Sequence, residues 1–97
     1  MKFEWDEKKN QSNLEKHSID FNNAKDIFKN ERLTAIDNRK DYCETRKISI
    51  GKIGPHMYVV VYTERRSVIR IISARKANQR ERRKYYEFIE RAKTEET

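Results

Sequence analysis

Alternation of apolar and polar residues along the middle of the chain predicts a series of β-strands. Isoleucines alternate with lysine and serine in one run, and valines and tyrosines dominate another. Four segments fit this pattern: 33–37, 46–53, 57–63 and 68–74. Short turns at 54–56 and 64–67 separate the last three segments, so we expect neighbouring strands to pair antiparallel.

Helical spacing of apolar residues predicts two helices before these strands. Asp6 is an N-cap candidate for a first helix that runs to about His17, with a thin apolar face formed mostly by Leu14. Asp20 is the N-cap candidate for a second helix, whose apolar residues are Phe21, Ala24, Ile27 and Phe28.

A third helix is predicted at the C-terminus. Asn78 and Glu81 have the spacing of a capping box. Apolar residues then recur on one helical face at Tyr85, Phe88, Ile89 and Ala92. After a short extended start at Phe3 and Trp5, the chain is predicted to be α+β, with two N-terminal helices, an antiparallel four-stranded sheet and a C-terminal helix.

Composition narrows the class of protein. The chain has 97 residues, of which 40% are charged and 35% hydrophobic, so we expect one domain, residues 1–97, with a small core. No apolar run approaches the length of a membrane span, and no signal-peptide core follows Met1. The single cysteine, Cys43, cannot form an internal disulfide. We therefore expect a cytoplasmic protein without a membrane partner.

Positive charge is concentrated in residues 65–86. This segment contains nine lysines and arginines against one glutamate, a net charge of +8, whereas the whole chain carries +7. Concentrated positive charge attracts polyanions and speeds their encounter. RNA, DNA, an acidic protein and an anionic membrane surface are the partners that such a segment suggests.

The residue types in this segment favour single-stranded RNA. Arginine forks bind phosphate oxygens in pairs, and tyrosine rings stack on unpaired bases. Tyr85 belongs to the apolar helical face and is expected in the core, whereas Tyr86 is a stacking candidate. The residues expected to contact RNA are Arg70, Lys76, Arg80, Arg83 and Tyr86. We expect no metal or other cofactor, because metal-ligand spacing and a glycine-rich phosphate loop are both missing.

RNA can be cleaved without a metal ion. The ribose 2′-OH attacks the adjacent phosphate, which yields a 2′,3′-cyclic phosphate and a 5′-OH. Arginines stabilise the charge that develops on the phosphate, but a guanidinium keeps its proton near neutral pH and cannot act as the base. The candidate bases are Glu64, Glu44, His56, or a lysine or tyrosine, and the sequence does not choose among them.

Several stretches resemble the BrnT family of bacterial toxins. The opening is similar in residues 3–6, FEWD, and 13–17, NLEKH. Residues 59–65, VVVYTER, resemble the third strand and turn of that family, and residues 71–77, IISARKA, its most recognisable stretch. The resemblance covers nearly the whole chain in the same order. Ser18 departs from it, because the family usually has glycine there.

The resemblance implies a RelE-like fold and a toxin of a type II toxin–antitoxin pair. It also implies ribonuclease activity on an RNA substrate, with or without the ribosome, that blocks translation and is neutralised by a cognate ribbon-helix-helix antitoxin. The arginines linked to toxicity in the family fall on Arg65 and Arg75 here. Together with Glu64 as a base, they form the predicted catalytic set.

Two other functions fit the charge pattern. A non-catalytic nucleic-acid-binding module could use the basic segment 65–86, although no helix-turn-helix or ribbon-helix-helix pattern is present. A structural subunit could use the same segment to bind an acidic protein. Cleavage of RNA by the purified protein distinguishes the ribonuclease from both alternatives.

Overall fold

A computed structural model of the protein describes residues 1–39 and 43–95. The elements in chain order are β1 (Lys2–Trp5), α1 (Glu7–His17), α2 (Phe21–Ala24), a 3₁₀ helix (Lys25–Lys29), β2 (Arg32–Ile36), β3 (Lys47–Ile53), β4 (His56–Arg65), β5 (Val68–Lys76) and α3 (Gln79–Glu95). The chain combines helices with a separate set of paired strands, which confirms the predicted α+β class.

The sheet has five strands in the order β1-β5-β4-β3-β2. Strands β2 to β5 pair antiparallel in chain order, as the sequence predicts. The prediction of four strands was wrong at the start of the chain, because β1 pairs parallel with β5, from Lys2 opposite Val68 to Trp5 opposite Ile71. A parallel partner lies far away along the chain, so no local pattern indicates this pairing.

Helix α1 begins and ends as the sequence indicates. Asp6 Oδ1 accepts a hydrogen bond from Lys8 N at 2.8 Å, which is an N-cap contact. Ser18 ends the helix with a φ of 57° and a ψ of 30°. Glycine adopts this left-handed conformation at little cost, so serine carries some backbone strain at this position.

The buried side of α1 is polar, which the apolar pattern did not predict. Leu14, the expected core contact, is 38% exposed, whereas Asn10 and Asn13 are buried. Asn13 Nδ2 donates to Ile19 O, and its Oδ1 accepts from Ala74 N of β5, both at 3.1 Å. An amide side chain with satisfied hydrogen bonds therefore attaches α1 to the sheet.

The second predicted helix is shorter than expected. Helix α2 ends at Ala24, and the chain continues as the 3₁₀ helix. Its apolar residues still lie where the spacing places them, because Phe21, Ala24 and Ile27 are fully buried and Phe28 packs against the same core. The change of helix type therefore leaves the predicted core residues in place.

Each face of the sheet has its own core. On one face, α2 and the 3₁₀ helix pack against apolar residues that include Tyr62 and Ile71. On the other, Tyr85 of α3 packs with Val59 and its neighbours. Phe88 was predicted on the same buried face of α3 but is 41% exposed. Helix α3 contacts mainly β2 and β3, which leaves polar side chains of β5 accessible on this face.

Candidate functional site

Three arginines from β4 and β5 lie on the face of the sheet that α3 covers in part. Arg70 is opposite Thr63, and Arg75 is opposite Val59. Residues directly opposite each other point to the same side of a sheet, and so do alternate residues along a strand. Arg65, two residues beyond Thr63, therefore points the same way. We call Arg65, Arg70 and Arg75 the arginine face.

A β-bulge brings Arg70 and Arg75 to the same side. Residues five apart point to opposite sides of a regular strand. The pairing with β4 shifts by one residue between Ile71 and Ser73, so that Ile72 has no opposite residue in the described strand pair. This extra residue reverses the alternation and turns Arg75 towards α3. Bulges often re-aim side chains beside functional sites.

Arg65 belongs to β4 rather than to the turn in which the sequence analysis placed it. The turn consists of Arg66 and Ser67, whose φ angles are 48° and 70°. Positive φ at both positions is typical of a two-residue hairpin turn that matches the twist of its strands. Because Arg65 is opposite Val68, the strand pairing fixes its direction.

The guanidinium of Arg75 is held by a carboxylate at the start of α3. Its Nη1 and Nη2 donate to Glu81 Oε1 and Oε2, both at 2.8 Å. Glu81 Oε1 also accepts from Asn78 N at 2.9 Å, and Asn78 Oδ1 accepts from Glu81 N at 2.8 Å, which confirms the predicted capping box. The capping box thus fixes the helix and the orientation of the arginine together.

This pairing changes the proton affinity of both groups. The hydrogen bonds from Arg75 lower the pKa of Glu81, and the Asn78 N–H adds to the effect. The same hydrogen bonds raise the pKa of Arg75, although burial and the positive charge of Arg39 oppose the rise. Arg75 therefore remains a cation at any physiological pH.

The other two arginines line a small cavity together with two carboxylates. Arg65 Nη2 lies 2.8 Å from Glu44 Oε2, and Arg70 Nη1 lies 3.7 Å from Glu4 Oε1. The cavity, of about 160 Å³, is lined by these four side chains and Thr63. It holds both cations that can bind a phosphate and carboxylates that can accept a proton.

The ion pairs of the arginine face are accessible to solvent. Arg65, Arg70 and Arg75 are 77%, 44% and 39% exposed, respectively. Exposed ion pairs contribute only about 0–1 kcal/mol, because water screens them. The carboxylates can therefore orient the three guanidinium groups and still give way to a phosphate.

Glu64, the predicted base, lies away from this cavity. It is opposite Ile69, which packs in the core beneath α2. Glu64 therefore points to the opposite side of the sheet from Arg65. Glu44, which the sequence left open as a base, contacts the arginine face through Arg65.

The predicted RNA-binding residues fall into three places. Arg70 belongs to the arginine face, whereas Lys76 and Tyr86 line a separate cavity near the start of α3. Arg80 and Arg83 are exposed on α3, and neither forms an ion pair within the part of the chain that the structure describes. The sequence located the positive charge in one segment of the chain but did not indicate that it is divided between these surfaces, and the RNA contacts remain a prediction.

Two carboxylates of the site were not singled out from the sequence as its members. Glu4 reaches Arg70 only because β1 joins the sheet beside β5, with Glu4 opposite Arg70. Glu81 was identified as a capping residue, but its contact with Arg75 depends on the bulge in β5. Alternation of Glu4 with Phe3 and Trp5 was the available signal for a strand at this position.

Residues 1–39 and 43–95 contain neither a metal-ligand cluster nor a membrane-spanning helix. No three His, Cys, Asp or Glu side chains are grouped as metal ligands there. None of the helices in these ranges is both long enough and apolar enough to span a bilayer.

Comparison with known proteins gives one family match. The model of a family described as BrnT, the ribonuclease toxin of type II toxin–antitoxin systems, matches residues 5–81. The matched range includes the whole arginine face, Glu44 and Glu81, and ends within α3. No individual curated protein matches the sequence. Since the family match spans most of the chain, this protein belongs to the BrnT family of ribonuclease toxins of type II toxin–antitoxin systems.

Proposed function

We propose that this protein is an RNA endonuclease that works without a metal ion and inhibits translation when its antitoxin is absent. The observation that supports this proposal best is the arginine face. Arg65, Arg70 and Arg75 lie on one side of the sheet, and Arg65 and Arg70 share a cavity with the carboxylates Glu4 and Glu44. Together these groups supply the two requirements of metal-free cleavage, charge stabilisation and proton transfer.

Arg75 is the residue that we assign to the phosphate. Its fork holds two carboxylate oxygens at 2.8 Å, and two oxygens of a phosphate fit the same geometry. Negative charge on these oxygens grows as the 2′ oxygen bonds to phosphorus, so the hydrogen bonds strengthen in the transition state. Arg65 and Arg70 add positive charge on the same side of the sheet.

Glu44, the carboxylate that contacts Arg65, is the residue that we assign as the base. One of its oxygens bonds Arg65 at 2.8 Å, and the other accepts no hydrogen bond from the described residues. In the proposed reaction, Glu44 takes the proton of the 2′-OH, and the 2′ oxygen bonds to phosphorus. The bond from phosphorus to the 5′ oxygen then breaks, and that oxygen takes a proton from water.

The antitoxin is proposed to act by covering this same face. A type II toxin has an antitoxin partner, and the ribbon-helix-helix type is the one that the family resemblance implies. A protein partner that supplies carboxylates to the arginine face would exclude the RNA phosphate.

The antiparallel order from β2 to β5, with helices before and after these four strands in the chain, supports a RelE-like fold. We expect the toxin and its target to meet in the cytoplasm.

Cleavage in the presence of EDTA tests the proposed activity. The purified protein should cut single-stranded RNA under these conditions and leave a 5′-OH and a 2′,3′-cyclic phosphate, which end-labelling and mass spectrometry detect. Activity that disappears with EDTA and returns with Mg²⁺ would refute the metal-free mechanism. Activity seen only with ribosomes would change the substrate but not the reaction.

Matched glutamate variants test the choice of base. Glu44→Gln should lower the cleavage rate about 10²–10⁴-fold, because it removes a general base while keeping the size of the side chain. Glu64→Gln, on the opposite side of the sheet, should cleave at the wild-type rate. The assignment fails if Glu64→Gln loses activity and Glu44→Gln keeps it.

A further inference from the structure

A second basic cavity lies between the β3–β4 turn and the first turns of α3. Its volume is about 260 Å³. The residues that line it include Lys52 and His56 from the hairpin, Lys76 at the end of β5, and Arg82 and Tyr86 from α3. We call these five residues the α3 cleft.

The positive charge of the α3 cleft is not compensated. Within residues 1–39 and 43–95, none of Lys52, Lys76 and Arg82 forms an ion pair with a carboxylate. Arg82 Nη1 instead donates to the backbone oxygen of Ala77 at 2.8 Å, which holds the guanidinium in place. In contrast, each guanidinium of the arginine face has a carboxylate partner. An anion entering the α3 cleft therefore displaces no internal ion pair.

An aromatic ring lies beside this charge. Tyr86 is 48% exposed, whereas its neighbour Tyr85 is buried in the core and packs edge-on against it, with ring centroids 5.6 Å apart. Lys52 Nζ lies 5.4 Å from the centroid of the Tyr86 ring. The ring is thus supported by the core while much of it remains available to a ligand. A positioned ring next to cations that have no carboxylate partner suits a nucleotide, whose base stacks while its phosphate binds the cations.

The α3 cleft and the arginine face meet at adjacent residues. Arg75 pairs with Glu81 in the first turn of α3, and the next residue along the helix, Arg82, lines the α3 cleft. A single RNA strand whose phosphate contacts Arg75 can therefore place a neighbouring nucleotide in the cleft.

We propose that the α3 cleft binds a nucleotide of single-stranded RNA that flanks the bond to be cleaved, an inference that rests on the proposed ribonuclease function. The phosphate of this nucleotide contacts Lys52, Lys76 and Arg82, and its base stacks on Tyr86. The cleft adds affinity for longer strands and takes no part in bond breaking. Because a tyrosine ring can stack on any base, the cleft makes binding depend on the length of the RNA rather than on its sequence.

A binding assay that does not depend on cleavage tests this proposal. The probe is a fluorescent single-stranded oligonucleotide of about 12 nucleotides, 2′-O-methylated throughout so that no 2′-OH can attack. Tyr86→Ala should weaken binding about 5- to 150-fold in anisotropy titrations, whereas Tyr86→Phe should keep the affinity. Phe88→Ala is the matched control, because Phe88 is similarly exposed on the same helix but outside the cleft.

Lysine variants test the binding of the phosphate. Lys52→Ala and Lys76→Ala should each weaken binding and reduce the slope of log affinity against log salt by about 0.7 for each phosphate that the protein no longer neutralises. Lys93→Ala, on α3 but outside the cleft, should leave the slope unchanged. Circular dichroism and a thermal melt confirm that each variant is folded.

The outcomes separate this proposal from the proposed function. If folded Tyr86→Ala, Lys52→Ala and Lys76→Ala proteins all bind the oligonucleotide as the wild type does, the cleft is not an RNA site. If they lose binding to the antitoxin but keep that affinity, the cleft belongs to the protein partner and the proposal is overturned. A wild-type protein that binds this probe through the cleft but cleaves no RNA would refute the ribonuclease mechanism alone.

Discussion

At the residue scale, the phosphate-binding role proposed for Arg75 depends on its contact with Glu81. The carboxylate aligns the guanidinium fork through two hydrogen bonds of 2.8 Å and is itself held by the Asn78 N–H. A long side chain at a strand end would otherwise lose much conformational freedom on binding a phosphate. The contact with Glu81 reduces this loss of conformational freedom, because the guanidinium fork is already close to the geometry that phosphate binding needs.

The arginine fork predicts a distinctive series of variants at position 75. Arg75→Ala should lower the rate of RNA cleavage about 10²–10³-fold, by loss of donors that act most strongly in the transition state. Arg75→Lys should restore little, because a point charge cannot replace a planar fork. Arg91→Ala, which removes an exposed arginine of α3 outside the basic segment, is the control. Single-turnover kinetics measure the rates.

Folding should survive these changes. The part-buried pair of Arg75 with Glu81 contributes on the order of 1 kcal/mol, which a thermal melt will register as a small shift. If the folded Arg75→Ala protein cleaves RNA at the wild-type rate, the assignment of Arg75 is wrong. Arg65 and Arg70 are then the next residues to test.

The lowered pKa of Glu81 predicts how stability depends on pH. A carboxyl group whose pKa is lower in the folded state stabilises the protein fully above its unfolded pKa, about 4.3 for glutamate. This contribution is lost as the pH falls through the pKa of Glu81 in the folded protein. Glu81→Gln removes it, so stability measured by urea unfolding should fall less steeply below about pH 5 than in the wild type.

The pH test of Glu81 has a control variant and a result that would contradict the prediction. Glu87→Gln removes a carboxyl group from an exposed position of the same helix and should reproduce the wild-type profile. Equal acid sensitivity of the wild type and Glu81→Gln would show that the pair with Arg75 does not contribute to stability in solution.

At the scale of elements, the features that the sequence predicted are those that depend on residues close together in the chain. Strands β2 to β5, both N-caps and the α3 capping box follow from alternation and from short-range hydrogen bonds. The parallel pairing of β1 and the bulge at Ile72 are products of distant contacts, and no local signal indicates them. The direction of Arg75 depends on the bulge and the position of Glu4 on the pairing of β1, whereas Glu64 was not placed because the predicted strand ended at residue 63.

Helix α1 is attached to the sheet through a polar side chain, so we expect its buried asparagine to contribute more to stability than its leucine. Asn13→Ala should cost about 1–3 kcal/mol, because it leaves Ala74 N–H and Ile19 C=O buried without their partner. Leu14→Ala should cost less, since Leu14 is 38% exposed. Urea unfolding compares the two. A larger loss of stability for Leu14→Ala would show that α1 is held mainly by apolar contacts.

At the scale of the whole molecule, the positive charge serves distinct surfaces. The net charge of +7 attracts RNA from a distance, and the local contacts then differ. The arginine face combines cations with carboxylates, which suits its proposed role in proton transfer, whereas the α3 cleft presents cations beside a ring, which suits its proposed role in binding. A partner protein that covers the arginine face can block cleavage without covering the rest of the basic surface.

The most direct test of the central claim is cleavage of an RNA that lacks one 2′-OH. Once a cleavage site has been mapped, the nucleotide on its 5′ side is replaced by the 2′-deoxy form. The account predicts that cleavage at that bond disappears while the affinity for the oligonucleotide is retained, because the attacking group is gone. Continued cleavage at the same bond at the normal rate would contradict attack by the 2′-OH and with it the mechanism proposed for the arginine face.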